Sequence, residues 1–539
     1  MNAEMLPSLL NISLLAPLAG SILVLLTGKN LSRIWALIAS LVPLVAGIAI
    51  QVIYHQHPNP ISLADRDFIA YTEMSWIGGG IDVKYMVGID GISAWLLMLT
   101  AVIFPLLVIY QGSAPMRQPK TWYALLLLLE TGTLGFFASL DLLLFYVFFE
   151  MVLIPAVFMI GLWGGAQRED AAMKFFLYTL AGSLLMLIAI LYVGIQAAPV
   201  GVSFTTDYHL IREAVALNTG GRFGIEVQLW LLAAFVISFG IKSPLFPLHS
   251  WQAPAYAESS TGGAVVMASL LSKMGTFGLV RYCLGLFPAA AVAAAPVISG
   301  LAVAGIIYGA YMAVVQTNVR RMIAFSSLSH IGFIILGIFA MTQEALSGAV
   351  LQMVAHGITT GALFLLADML YSRYGSYEIG AYQGIARHLP VLTTFFVIAA
   401  MASAGLPGLN GFVGEFMILI GSFNSGVLAG IFAAIAALGV VLAAVYLLNM
   451  VRKTFFGAAS DDSARADVSS RESLVLVPLT VLMIFMGFYT RPFLQDINAG
   501  TARVLNQVAP YIAYEPEIEK SAPAQPQPAV PAESDHGTH

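Results

Sequence analysis

Six ionisable residues stand inside otherwise apolar stretches of the 539-residue chain. Glu150 sits in DLLLFYVFFEMVLIPAVFMIGLWGG, Lys242 and Lys273 in FVISFGIKSPLFPLHSWQAPAYAESSTGGAVVMASLLSKMGTFGLVR, His330 in AFSSLSHIGF, His356 in LQMVAHGITTGALFLLAD, and Glu415 in MASAGLPGLNGFVGEF. A lysine at the middle of a hydrocarbon layer costs roughly 3 kcal/mol on insertion scales, so such a group normally faces protein interior or water. A carboxylate at that depth must be protonated or paired, and Lys242 is the expected partner of Glu150. Histidine changes charge near neutral pH, and burial can bring a lysine toward that range. Lysine, histidine and carboxylate in alternation therefore point to proton transfer along a polar path through a membrane. Ser326, Ser327, Ser329, Thr359 and Thr360 lie close enough in sequence to hold waters between the ionisable groups.

Each residue also has a plain structural reading. A lone intramembrane histidine is more often a hydrogen-bonded packing group than a relay, so the joint occurrence carries the inference. Glu130 and Asp368 read as solvated groups near helix ends, Asp141 as a helix cap, and Arg281 as a snorkelling side chain. Cys283, the single cysteine, reads as a small apolar filler and excludes an internal disulfide.

The elements that must position these groups are themselves marked. Pro244 and Pro247 lack the amide protons that would bond the carbonyls of Gly240 and Ser243, on either side of Lys242. Pro407 likewise frees the carbonyl of Ser403, with Gly405, Gly408 and Gly411 weakening the same helix one turn before Glu415. Broken backbone at membrane depth is tolerated where it lines a cavity, and a pair of interrupted segments in corresponding halves is the mark of an inverted-repeat transporter.

At 59% hydrophobic and 10% charged residues, the chain is a polytopic membrane protein. About fourteen apolar segments of spanning length predict an all-α architecture. The expected organisation is residues 1–120 as helices 1–3 with an external loop, 121–284 and 292–451 as two inverted five-helix repeats, 452–512 as the last span with its flanks, and 513–539 as a disordered tail. Lys29, Arg33, Arg117, Lys120, Arg168, Lys174, Arg320, Arg321, Arg373, Arg387, Arg452, Lys453, Arg465 and Arg471 fall in alternate loops. That bias places both termini outside the cytoplasm, with Arg66, Lys84, Arg212, Arg222 and Arg281 as exceptions. A formal net charge of -5 argues against nucleic acid as a partner. There is no Walker loop, G-x-G-x-x-G or H-E-x-x-H motif, which argues against nucleotide chemistry in this chain.

The blocks GIDGIS (Gly88 to Ser93), FFEMVLIP (Phe148 to Pro155), GLWGG (Gly161 to Gly165), KFFLYTLAGSLLML (Lys174 to Leu187), KSPLFPLHSW (Lys242 to Trp251), LLSKMGTFGLVR (Leu270 to Arg281), AFSSLSHIGF (Ala324 to Phe333) and GLPGLNGFVGEF (Gly405 to Phe416) carry a family resemblance. The chain resembles subunit M of bacterial respiratory complex I, the proton-translocating NADH:quinone oxidoreductase, and is similar to Mrp-type cation/proton antiporter subunits. The resemblance implies a fourteen-helix antiporter-like fold and a hydrophilic axis of Glu150, Lys242, Lys273, His330, His356 and Glu415. It also implies no redox cofactor in this chain, with FMN, iron–sulfur clusters and quinone in partner subunits. Expected partners are the other membrane-arm subunits, including paralogous antiporter-like ones, with membrane lipid, protons and water. The expected location is the bacterial cytoplasmic membrane. Two departures from the family pattern stand out. QAPAYAESST follows Trp251 where a segment like LPDAHxEAPT is usual, so Tyr256 replaces a histidine, and QTNVRR (Gln316 to Arg321) stands where an acidic residue and lysine are common. The competing readings are a subunit of a multi-subunit sodium/proton antiporter and a membrane oxidoreductase with haem held by His330 and His356.

Overall fold

A helix satisfies its own backbone, so an apolar run of about 20 residues crosses the hydrocarbon layer most cheaply in that form. The computed structural model describes residues 5–56, 68–112, 116–217, 221–457 and 465–512. The expected disordered tail from 513 onward, and Arg66, lie outside the described residues. Among the described residues, thirteen helices are long and apolar enough to span, and Pro390–Ser403 and Asn410–Phe423 are shorter apolar helices separated by a break. Counted as one interrupted span, that pair accounts for the fourteenth apolar segment.

The chain opens with α1 (Leu6–Leu26) and α2 (Lys29–Gln56), followed by strands β1 (Ile69–Ile77) and β2 (Ile81–Ile89), then α3 (Ser93–Gln111) and α4 (Pro119–Ala138). Next come α5 (Leu142–Met151) and α6 (Leu153–Trp163), which together make one span, and α7 (Arg168–Gln196). The short β3 (Phe204–Thr205) and α8 (Tyr208–Leu217) lead to α9 (Ile225–Lys242) and α10 (Gln252–Glu258). The following span is composite: α11 (Thr261–Val266), a π-helical turn (Met267–Leu271), α12 (Ser272–Gly278) and a second π-helical turn (Leu279–Leu284). The remainder comprises α13 (Pro288–Val314), α14 (Val319–Phe339), α15 (Gln343–Tyr374), α16 (Pro390–Ser403), α17 (Asn410–Phe423), α18 (Ile431–Phe455), α19 (Ser470–Phe488) and α20 (Arg491–Ile512).

The composite span and α15 are wholly buried and α14 nearly so, whereas α18 and α19 leave most of their apolar surface outward. The helices that carry Lys273, His330 and His356 are thus the innermost. Apolar residues all round a helix are what full burial requires.

Two features outside the spans went unread in the sequence. β1 and β2 pair antiparallel around a turn in which Gly79 and Gly80 have positive φ (82° and 97°), and β2 continues by parallel pairing into β3. Lys84 holds this sheet to the helices: its ammonium lies 3.0 Å from Glu73 and 3.1 Å from Asp207. Burial lowers the Lys84 pKa, but hydrogen bonds to Glu73 and Asp207 outweigh it and hold the group above its ordinary value. The second feature is α20, whose Phe493, Ile497, Gly500, Val504 and Val508 are buried at helical spacing. It meets the start of α3, where Trp95 donates to Asp496 at 3.1 Å and packs its ring against Phe493 at 4.3 Å between centroids.

Three smaller readings are corrected. Arg281 is 6% exposed and does not snorkel; it is ion-paired with Asp90 at 2.7 Å and lies over the rings of Phe68 and Phe277. Glu130 is fully buried in α4 with neither carboxylate oxygen hydrogen-bonded. Asp368 is half-buried and accepts from the hydroxyls of Tyr110 (2.7 Å) and Tyr377 (3.1 Å). Asp141 does cap α5, accepting from the amides of Leu143 and Leu144.

Candidate functional site: a buried lysine, histidine and glutamate chain

The site is built where a distorted helix meets two others. In the π-helical turn before Lys273 the backbone bulges, and such bulges leave carbonyls free for side chains. Lys273 uses one: its Nζ donates to the Ala268 carbonyl at 2.6 Å and to Ser272 Oγ at 3.2 Å. Its third contact is the Nδ1 of His356 at 2.6 Å. An ammonium has three donors and no acceptor, so a charged Lys273 is saturated here and His356 Nδ1 acts as acceptor. The ring proton of His356 is then on Nε2, which is buried and has no partner.

The His356 ring lies 5.5 Å, centroid to centroid, from the ring of His330. His330 Nδ1 is 2.7 Å from Glu415 Oε1, and its Nε2 is 3.3 Å from Ser403 Oγ. Gln352 donates to the same Glu415 oxygen at 3.0 Å. A cavity of ≈ 10 Å³ lies among His330, Gln352, His356, Thr359, Ser403 and Gly411, room for about one water. The interruption between α16 and α17 serves this geometry. Gly405 has φ +73°, and a Cβ there would stand 3.0 Å from Glu415 Oε2, so only glycine lets the turn close over the carboxylate.

Lys242 and Glu150 form a separate group. Lys242 is 1% exposed at the end of α9, with Pro244 and Pro247 in the turn that follows. Its Nζ donates to the Phe149 carbonyl at 3.4 Å and lies 4.4 Å from the centre of the Phe149 ring. The expected direct Glu150–Lys242 pair is absent. Glu150 Oε1 has no hydrogen-bond partner, and the neighbouring Phe149 backbone and ring take the ammonium instead. The Gly240 carbonyl, expected to be free, accepts from Leu245 N at 2.6 Å, and that of Ile241 from Trp251 Nε1 at 2.9 Å. The two lysine helices touch at Gly275, where a Cβ would come within 2.5 Å of the Phe239 carbonyl and 2.7 Å of Ser243.

Four of the six residues, Lys273, His356, His330 and Glu415, are therefore in sequence contact through short steps, and Glu150 and Lys242 approach without pairing. Sequence reasoning missed Gln352, Ser403, Ser272 and Asn410, whose amide donates to the Ala355 carbonyl at 3.1 Å. It had no signal for the π turns. The departure at Tyr256 is placed beside them: its hydroxyl donates to the Met267 carbonyl at 3.1 Å, at the start of the bulge. Arg320, in the second departure, donates to the Ser259 carbonyl at 2.8 Å.

Residues 139–442, which hold all six ionisable groups, match the family model described as NADH:quinone oxidoreductase/Mrp antiporter, TM. The chain belongs to this antiporter family. Within the family it is 36% identical to NADH-quinone oxidoreductase subunit M of Mycobacterium tuberculosis, over 94% of this chain and 96% of that one. Its fold matches a chain of respiratory complex I from Thermus thermophilus with a TM-score of 0.79 and 31% identity, covering 92% and 99%. A chain of the Mrp complex from Dietzia sp. DQ12-45-1b matches at TM-score 0.78 and 19% identity over 94% and 99%, a likeness of fold alone. The antiporter family thus contains the subunit M likeness already legible in the motifs.

Proposed function

We propose that this chain is the proton-translocating, subunit M-type membrane component of a respiratory NADH:quinone oxidoreductase, driven by quinone reduction in other subunits. The observation that carries this is the buried chain Lys273, His356, His330, Glu415, in which each neighbour is within hydrogen-bonding distance or one water of the next. In a transfer step, Lys273 gives a proton from Nζ to His356 Nδ1 while the Nε2 proton of His356 leaves into the small cavity. A water there passes a proton to His330 Nε2, and the Nδ1 proton of His330 goes to Glu415, so one proton enters and one leaves. Glu150 acts on Lys242 through its field, and the pair modulates the loading of Lys273.

The rest of the reading goes with this role. Residues 121–284 and 292–451 form two inverted repeats, each holding one interrupted span; FMN, iron–sulfur clusters and the quinone site belong to partner subunits; partners include paralogous antiporter-like subunits. The chain lies in the bacterial cytoplasmic membrane with both termini on the outer side. The higher identity to subunit M relatives than to the Mrp chain supports this reading over a free-standing sodium/proton antiporter. The test is purification of the intact assembly. NADH- or ferredoxin-linked quinone reduction with proton uptake is expected, and sodium/proton exchange without electron transfer would refute the assignment.

A further inference from the structure

A second cavity, of ≈ 530 Å³, opens beside the basic loops and lies outside the chain of groups described above. Its wall mixes apolar residues with Gln316, Thr317, Gln383, Asn449 and the cationic Lys453, and Met322 and Tyr446 are part of the lining. Tyr446 is 2% exposed, and its hydroxyl is 2.7 Å from Ser326 Oγ, itself 2% exposed. Met322, Ser326 and His330 follow one another at four-residue spacing on α14, so they share one face, about 6 Å apart at Cβ. That face runs from the cavity floor, past the hydroxyl pair, to the imidazole that holds Glu415. Ser327 Oγ, next along the helix, is buried without a partner.

We infer that the Tyr446–Ser326 hydroxyl pair closes a water-filled inlet through which protons from the cytoplasmic side reach His330 and Glu415. This rests on the proton-translocating reading and on the orientation set by the basic loops. The transfer balances: a cavity water gives a proton to one hydroxyl oxygen as that hydroxyl passes its own to the next oxygen, and a bridging water delivers it to His330. A hydroxyl both donates and accepts, which an apolar side chain at either position cannot do.

The test uses the assembled complex in membrane vesicles. Asn449→Cys places a thiol in the cavity wall, and the native Cys283 is buried, so background reaction is low. A membrane-impermeant maleimide is expected to label Asn449→Cys from the cytoplasmic face only. Tyr446→Phe keeps the ring and removes the hydroxyl; it is expected to slow proton uptake about tenfold or more, with assembly unchanged. Ser326→Ala is expected to do the same, and it decides the matter with the labelling if Tyr446→Phe does not assemble. Labelling from the outer face, or none, overturns the inlet. So does normal pumping by Tyr446→Phe and Ser326→Ala when Lys273→Ala does not pump, an outcome that leaves the proton-translocating reading intact. Normal pumping by all three variants overturns both.

Discussion

Lys273 has three acceptors within 3.2 Å, whereas Lys242 has one carbonyl at 3.4 Å and an aromatic face. Two lysines of the same type at similar burial are therefore held in different ways, and only the first is wired directly to a group that can take its proton. Glu130 and the Arg281–Asp90 pair show the cost side of burial. An unpaired buried polar group costs about 1–3 kcal/mol, so Glu130→Leu is expected to raise the unfolding temperature of the assembled protein; a fall would mean that the carboxyl has a partner. Asp90→Ala leaves the Arg281 charge buried alone and is expected to destabilise by about 3–5 kcal/mol, read by thermal unfolding or loss of assembled protein. At this scale the six ionisable residues were legible because a charge in an apolar run is conspicuous. Their partners were not: nothing local in the sequence says that Arg281 meets Asp90, that Lys242 sits on the Phe149 carbonyl and ring, or that Gln352 bonds Glu415 and Ser403 meets His330.

Helix interruptions were legible from Pro244, Pro247, Pro407 and the glycines, because a missing amide or a residue without Cβ acts locally. How the freed carbonyls are reused was not, since Leu245 and Trp251 supply the donors from beyond the break. The π turns around Lys273 had no sequence mark at all. They depend on packing against α9 and α15, and Gly275 is the point of closest approach. Gly275→Ala drives a methyl to 2.5 Å from the Phe239 carbonyl. It is expected to cost about 1–3 kcal/mol of stability and to lower both assembly and turnover, whereas Gly375→Ala, at an open turn, is expected to leave packing unaltered apart from its positive φ. The hairpin gives an element-scale pH dependence. A lysine pKa raised in the folded state stabilises fully below the ordinary 10.5 and loses that contribution as pH rises through the raised value. Hydrogen exchange in residues 69–89 is therefore expected to be insensitive to Lys84 titration from about pH 6 to 9 and to increase only in stronger alkali. Lys84→Met is expected to show the increased exchange already at neutral pH.

Over the whole molecule, the number and order of spans followed from the length of apolar runs, because the bilayer sets that length. The sheet of β1, β2 and β3 and the amphipathic α20 did not, because neither contains an apolar run of spanning length. Just after β2, Asp90 pairs with Arg281 and Trp95 of α3 bonds Asp496 of α20, so the early part of the chain is tied both to the composite span and to the end of the chain. The innermost position of α12, α14 and α15 buries Lys273, His330 and His356 within the helices of the protein. Such burial suits a route whose direction is set by neighbours in a larger assembly rather than by a site open to a ligand. The most direct measurement is NADH-driven acidification of inverted vesicles carrying Lys273→Ala in an otherwise intact complex. The account predicts loss of proton pumping with the complex still assembled and NADH oxidation still detectable, and pumping at the parent rate would contradict it.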